Sequence, residues 1–218
     1  MAQFGAKYIK FNPIAEQPED ALPIYRNEKP VQLGRLCKAD LTVNMASGEL
    51  YADDELAENL EEFSSGDLAV ETDDMLDAVA AEVYGCEVKD GEATYKYGDE
   101  PPEGGVAYIK ALMRRGKKVY KGVFHPRVKA ALGNDTSQTR GSSITFGTTN
   151  TKFKVMSCNT GAWKKTAEFE DEKAAKDWVD KMLAGKPAGT DPAPTDPEDE
   201  GGTDPAPTDP EDGGGAAG

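Results

Sequence analysis

The run from Gly104 to Cys158 most constrains the fold. Its pattern is strand, turn, strand, loop, strand, turn, strand, so the chain must build an antiparallel sheet around it. Val106–Arg114 and Lys117–Leu132 are expected to pair around Arg115-Gly116. Both parities of these strands carry apolar residues: Ile109 and Met113 on one, Tyr108 and Leu112 on the other. Such a pattern fits a sheet covered on both faces, or one shared between subunits. Asn134–Arg140 reads as a polar loop. Ser142–Phe146 and Lys152–Met156 are expected to pair across 147–150, and Trp163–Phe169 adds a strand.

The rest of the chain supplies fewer signals. Phe4–Phe11 is a short strand candidate, ended by Asn12-Pro13. Residues 12–34, with Pro13, Pro18, Pro23 and Pro30, read as an extended arm. Leu36–Met45 alternates cleanly, with Ala39, Leu41, Val43 and Met45 on one side, and Ser47-Gly48 is a turn signal. Glu49–Phe63 has helix-forming composition, yet Asp53-Asp54 and Ser64-Ser65-Gly66 favour a loop and a returning strand. Asp67–Glu71 is a short strand. A helix follows, capped by Asp73 or Asp74, with Leu76, Val79, Ala80 and Val83 as its apolar stripe and Gly85 as its left-handed end. Asp90-Gly91 marks a hairpin within Cys86–Tyr97. Asp171 is expected to cap a second helix with Ala175, Trp178, Val179, Met182 and Leu183 on its apolar side and Lys173, Asp177 and Lys181 on its wet side. The implied class is mainly β, an antiparallel sandwich or barrel with a flanking helix.

Charge divides the chain. The net charge is −15 over 218 residues. Pro187–Gly218 carries nine acids and no base, and GTDPAPTDPED repeats verbatim at 189–199 and 202–212. Without that segment the balance is 25 bases against 31 acids, a net charge of −6. The expected organisation is a β domain over 1–186 and an acidic Pro/Gly-rich tail over 187–218 that lacks the apolar anchors needed to offset ordering entropy. Deleting that tail is expected to leave folding and assembly intact. Against this acidity, Lys110, Arg114, Arg115, Lys117, Lys118, Lys121, Arg127 and Lys129 cluster between Gly104 and Asn134 with no Asp or Glu among them.

Sequence motifs for chemistry are sparse. His125, the only histidine, lies within a strand before Pro126 and reads as a partly buried structural residue. No nucleophile elbow, dinucleotide fingerprint or phosphate loop occurs. Asp196–Gly201 has a faint calcium-loop spacing, but Pro207 stands where a bidentate Glu is required. No catalytic, cofactor-binding or metal residue is assigned. Cys37, Cys86 and Cys158 are widely spaced and odd in number, which suits a reducing compartment. The first residues lack a signal-peptide core, so synthesis and first folding are expected in a cytosol.

The basic hairpin has three readings. It docks a nucleic acid, with Tyr108, Tyr120 and Phe124 stacking on bases. It is an ordinary charged sheet face. Or it meets the acidic run Asp53, Asp54, Glu55, Glu58, Glu61 and Glu62 of a neighbouring copy, a segregation of charge suited to head-to-tail assembly.

Several blocks in order carry a family resemblance: AKYIKF, GRLCKADLTVNMASGELYADDELAE, DLAVETDD, GGVAYIKALMRRGKKVYKGVFHPRVK, TRGSSITFGTTNTKFKVM and WKKTAEFEDEKAAKDWVDKML. Together they cover about residues 1–184, and the chain resembles the major tail proteins, or tail-tube subunits, of long non-contractile-tailed bacteriophages. The resemblance implies a β-sandwich or barrel with a flanking helix, like the tube protein of type VI secretion. It further implies hexameric rings stacked into a hollow tube whose channel conducts DNA without holding it. A long loop within Ala46–Ser65 would reach an adjacent copy. Implied partners are other copies of the chain, a tape measure protein inside the tube, and tail terminator and distal tail proteins at its ends; the implied location is the virion tail. Family members often carry a further C-terminal domain, whereas this chain has only the acidic repeat. The interface residues expected on this reading are Asp53, Asp54, Glu55 and Glu58 against Lys110, Arg114, Arg115, Lys117, Lys118 and Lys121. The alternative is a nucleic-acid-binding β domain using residues 104–129.

Overall fold

A computed structural model describes residues 2–52, 55–131 and 147–185, without side chains at 50–52 and 55–58. The expectations for Asn134–Arg140, Ser142–Phe146, Asp53-Asp54 and the 187–218 tail lie outside the described residues.

The central hairpin forms as its sequence predicts. Strands β8 (Glu103–Arg114) and β9 (Lys117–Ala131) pair in antiparallel register from Glu103↔Lys129 to Arg114↔Lys117. Arg115 (φ 49°) and Gly116 (φ 77°) are both left-handed, as a type I′ turn requires. Strand β1 (Ala2–Glu16) flanks β8, and β10 (Thr149–Met156) flanks the far half of β9. Next to β10 lie β5 (Glu55–Thr72) and then β4 (Leu36–Ala52). Short strands β2 (Ile24–Tyr25) and β3 (Val31–Gln32) sit on β1, and β11 (Lys165–Phe169) sits on the near half of β9. The result is a nine-stranded antiparallel sheet, curled until β4 comes into contact with β1. A separate small hairpin, β6 (Glu87–Lys89) and β7 (Glu92–Thr94), turns at Asp90 (φ 53°) and Gly91 (φ 84°).

The mixed parity of the central strands has its explanation within one chain. Val106, Tyr108, Val123 and Val128 face a core shared with Ile9 and Phe11 of β1, Leu68 and Val70 of β5, and Phe153 and Val155 of β10. Ala107, Ile109 and Phe124 face the other way, onto Ala175, Val179 and Leu183 of helix α2 (Glu172–Leu183). Each large side chain sealed in this way contributes roughly 1.5–3 kcal/mol. Gly122 is the close-approach point beneath the helix: a Cβ there would stand 2.5 Å from Trp178 Cε3. Asp171 caps α2 as expected, its Oδ2 accepting from Ala174 N at 3.2 Å.

Three expectations need correction. First, β1 does not stop at Asn12-Pro13. Asn12 is fully buried; its Nδ2 donates to Asn27 O at 2.7 Å and Leu183 O at 2.8 Å, and its Oδ1 accepts from Asn27 N at 3.1 Å. It thus ties the strand to the loop and to the open end of α2. Residues 12–34 accordingly contain β2 and β3. Second, Ser47-Gly48 is not a turn: β4 runs through it, and within Glu49–Phe63 the returning strand occurs as expected, β5 pairing with β4 out to Ala52↔Glu55. Third, helix α1 (Asp77–Tyr84) has Leu76 at its N-cap, without a side-chain cap. Asp73 Oδ1 instead accepts from Arg35 N at 2.7 Å and Leu76 is 68% exposed, whereas Val79, Ala80 and Val83 face the core and Gly85 (φ 73°) ends the helix as predicted. Strand β10 lies between β5 and β9, which occupy both edges of Lys152–Val155.

Candidate functional site

Two hairpins dominate the charged surface. On β8, alternation places Lys110, Leu112 and Arg114 on one face, and their register partners on β9 are Lys121, Val119 and Lys117. Strand β11 extends this face beside β9, bringing Glu168 opposite Lys121 and Thr166 opposite Val123. A groove of about 590 Å³ opens there, floored by Leu112, Val123 and Trp163 and rimmed by Lys110, Arg114, Lys121 and Lys164.

The cations differ in what they meet. Arg114 makes a two-pronged contact with Glu168, Nη1 to Oε2 at 3.0 Å and Nη2 to Oε1 at 3.1 Å, and Lys121 Nζ lies 3.7 Å from the same carboxylate. Arg127 grips Glu103 at 2.8 and 2.9 Å, and Lys129 meets Glu100 at 2.6 Å. Half of the basic block is therefore matched by carboxylates of its own chain. Lys110, Arg115, Lys117 and Lys118 have no ion-pair partner among the described residues, and the last three are exposed at the hairpin end. Lys110 Nζ lies 5.8 Å from the Tyr108 ring centroid. Burial pushes the Lys164 ammonium pKa down, and the positive charges of Lys110 and Lys121 push it further.

The second hairpin is acidic. No Lys or Arg occurs between Lys38 and Lys89. Strand β5 pairs with β10 only from Gly66 to Thr72, so beyond Ser65 it has β4 as its sole partner among the described strands. The two-stranded ribbon from Asn44–Ser65 outward extends on the order of 30 Å at ~3.3 Å per residue. Ala46–Glu49 and Asn59–Glu62 are exposed along it. Leu60 is 62% exposed, and Met45 51%. Of the acids expected at an interface, Glu55 and Glu58 lie on this ribbon, opposite Ala52 and Leu50.

An aromatic column anchors the base of the ribbon. Phe63 stacks on Trp163 at 4.3 Å and 3°, Trp163 on His125 at 6.4 Å, and His125 on Tyr108 at 6.4 Å. His125 is fully buried, deeper than its sequence position indicates. Its Nδ1–H donates to Trp163 O at 3.1 Å, and Nε2 has no partner among the described residues. Burial, aided by Lys164 and Lys110, pushes its pKa down to about 4, so the ring is neutral at neutral pH. Sealed from solvent, it has no surface on which to meet a substrate. Among the described residues no three His, Cys, Asp or Glu side chains gather to hold a metal ion. Cys37 is exposed and free; Cys86 and Cys158 are buried and free.

The groove contains two charged residues that sequence reading did not single out, Lys164 and Glu168. The Lys164-Lys165 doublet before an alternating strand was their only local signal. No protein-family model matches the chain, and no curated protein is similar to it.

Proposed function

We propose that this chain is a self-assembling structural protein, the repeating subunit of a long non-contractile bacteriophage tail tube. The observation that carries this reading is the β4–β5 ribbon. It projects beyond the sheet with exposed apolar residues on an acidic surface, while a basic hairpin stands open elsewhere on the same chain. Isolated two-stranded ribbons are marginal in water, and unpaired strand edges invite further pairing. A chain that keeps such a ribbon is built to place it against another copy. An acidic ribbon meeting a basic hairpin is a heterologous contact, which closes into rings or runs on as a stack. The order of blocks resembling tail-tube subunits, together with a mainly β fold and flanking helix, supports the tube over other assemblies. Its action is geometric and electrostatic, with no catalytic step: stacked hexameric rings conduct DNA, and the basic side chains at Arg114, Arg115, Lys117 and Lys118 lie at subunit contacts, away from the channel wall.

Negative-stain microscopy of the purified protein at high concentration tests this. Six-fold rings or tubes are expected. A persistent monomer that binds duplex DNA overturns the proposal. The cation-rimmed groove favours one second reading, a nucleic-acid-binding domain. Salt separates the two, because affinity resting on phosphate contacts falls steeply between 50 and 200 mM salt, whereas the tube subunit is expected to have little DNA affinity to lose.

A further inference from the structure

The groove holds a charge conflict that its own residues leave partly unresolved. Lys110 of β8 stands directly opposite Lys121 of β9, and Arg114 opposite Lys117. Like charges in register across two strands repel and destabilise the pairing. Lys164 adds a further ammonium at the rim. Burial lowers its pKa, and the charges of Lys110 and Lys121 lower it further. Glu168 is the one carboxylate among the described residues that line the groove, and Arg114 and Lys121 already share it. Lys110 and Lys164 therefore have no acid to meet there. These side chains do not simply reach into water. Lys110, Arg114 and Lys121 are half-buried, whereas Arg115, Lys117 and Lys118 at the hairpin end are exposed. An ordinary charged face keeps its ammonium heads solvated; this one draws them over an apolar floor.

That floor continues the core. Tyr108 and Val123 are sealed in the main cluster, and farther along the same face of β8 Leu112 is only half-buried. Trp163 closes one side, with Lys164 Nζ 5.7 Å from its ring centroid. The groove volume of about 590 Å³ is that of a small-molecule site, for which roughly 300–1,000 Å³ is usual. From these observations we infer that the groove binds a small aromatic anion, a flat ring system bearing a carboxylate, sulfonate or phosphate. The ring lies on Leu112, Val123 and Trp163, and the charged group sits between Lys110 and Lys164, relieving the repulsion around Lys121. A flat ring covers the floor without the rotamer freedom that a flexible chain loses on binding. Ammonium groups at the rim also favour the face of a π-system. The site uses none of Arg115, Lys117 and Lys118, so it stands apart from the subunit contact proposed above.

The probe that tests this is 8-anilinonaphthalene-1-sulfonate, titrated into the full chain carrying Trp178→Phe. Trp178 packs over Gly122 on the opposite face of the sheet, and its removal leaves Trp163 as the single tryptophan. Energy transfer from Trp163 to the dye then reports occupancy of the groove. Saturable transfer is expected. Lys110→Gln with Lys164→Gln should weaken it by about tenfold or more, as should Leu112→Ser, whereas Arg115→Gln with Lys118→Gln should leave it unchanged. Far-UV circular dichroism checks that each variant folds, and competition on the parent chain needs no groove variant. 2-Naphthoate should displace the dye at a concentration at least about tenfold below that needed with inorganic phosphate. Equal displacement by the two means that charge alone is recognised and overturns the aromatic ligand. Absence of saturable transfer, or dye binding that survives loss of the two lysines, overturns the site. Displacement by a single-stranded oligonucleotide with 2-naphthoate inert assigns the groove to nucleic acid, and the inference falls.

Discussion

The β8–β9 and β4–β5 hairpins obey the same local rule, two long antiparallel strands in register, yet they serve opposite ends. β8–β9 is enclosed: β1 lies along one side, β10 and β11 along the other, α2 covers one face and the main core the other. β4–β5 is enclosed only near its root, where Leu36, Leu68 and Val70 join the core. Farther out it has no flanking strand among those described, and its surface is acidic. The difference lies in cover, not in strand formation. Where apolar residues occur on both parities, the chain supplies its own layers. Where they alternate with acids on a bare ribbon, like-charge repulsion keeps identical ribbons apart, and on the proposed reading a basic surface of another copy covers them.

The sharpest way to break this contrast is to weaken the enclosed hairpin. Phe124 has no exposed surface and meets Tyr25 edge-on at 6.3 Å as well as the α2 core. Phe124→Ala is expected to cost about 3–5 kcal/mol of unfolding free energy, read as a drop in the urea midpoint. A cost under about 1 kcal/mol refutes the two-sided packing.

The next effect is pH-dependent and centred on His125. Its unfolded value is about 6.5, and burial holds it near 4 when folded, with Lys164 and Lys110 as the charged neighbours acting on it. Between these values the unfolded chain binds a proton that the folded chain does not. Stability from this residue is therefore complete above about pH 6.5 and is lost as pH falls toward 4. The full difference is about 3 kcal/mol. Carboxylates titrate in the same interval, so the measurement is the difference between the native chain and His125→Phe. The variant's denaturation midpoints should fall less between pH 7 and 4. Parallel profiles would show that His125 is not held neutral by burial.

Features set within a few residues were legible in the sequence. The Arg115-Gly116 and Asp90-Gly91 turns, the Gly85 helix end and the Asp171 cap each depend on local backbone preference, and each occurs as read. What escaped was decided at a distance. Nothing near Asn12 signals that its amide reaches Leu183, so a strand passing through Asn-Pro looked like a strand end. Ser47-Gly48 looked like a turn, yet pairing with β5 carries β4 straight through it. The site divides in the same way. The basic block and the acidic run were visible as charge runs. The groove was not, because its Glu168 and Lys164 arrive through the pairing of β11 with β9.

The smallest expected effect on a single chain carries the most weight for the comparison. Leu60 is 62% exposed on the ribbon and faces Gly48, so Leu60→Ser removes little packing within one copy. Its unfolding free energy is expected to stay within about 0.5 kcal/mol of the native value, as for other surface changes. If the ribbon is bare because another copy covers it, the same substitution should sharply reduce association. Sedimentation velocity over a range of concentrations reads this directly: native protein should move to larger species as concentration rises, and Leu60→Ser should remain small. Phe124→Ala, tested below its unfolding range, should do the reverse, retaining association while losing stability. Equal losses in both variants would mean that the two hairpins do not divide the tasks of folding and assembly.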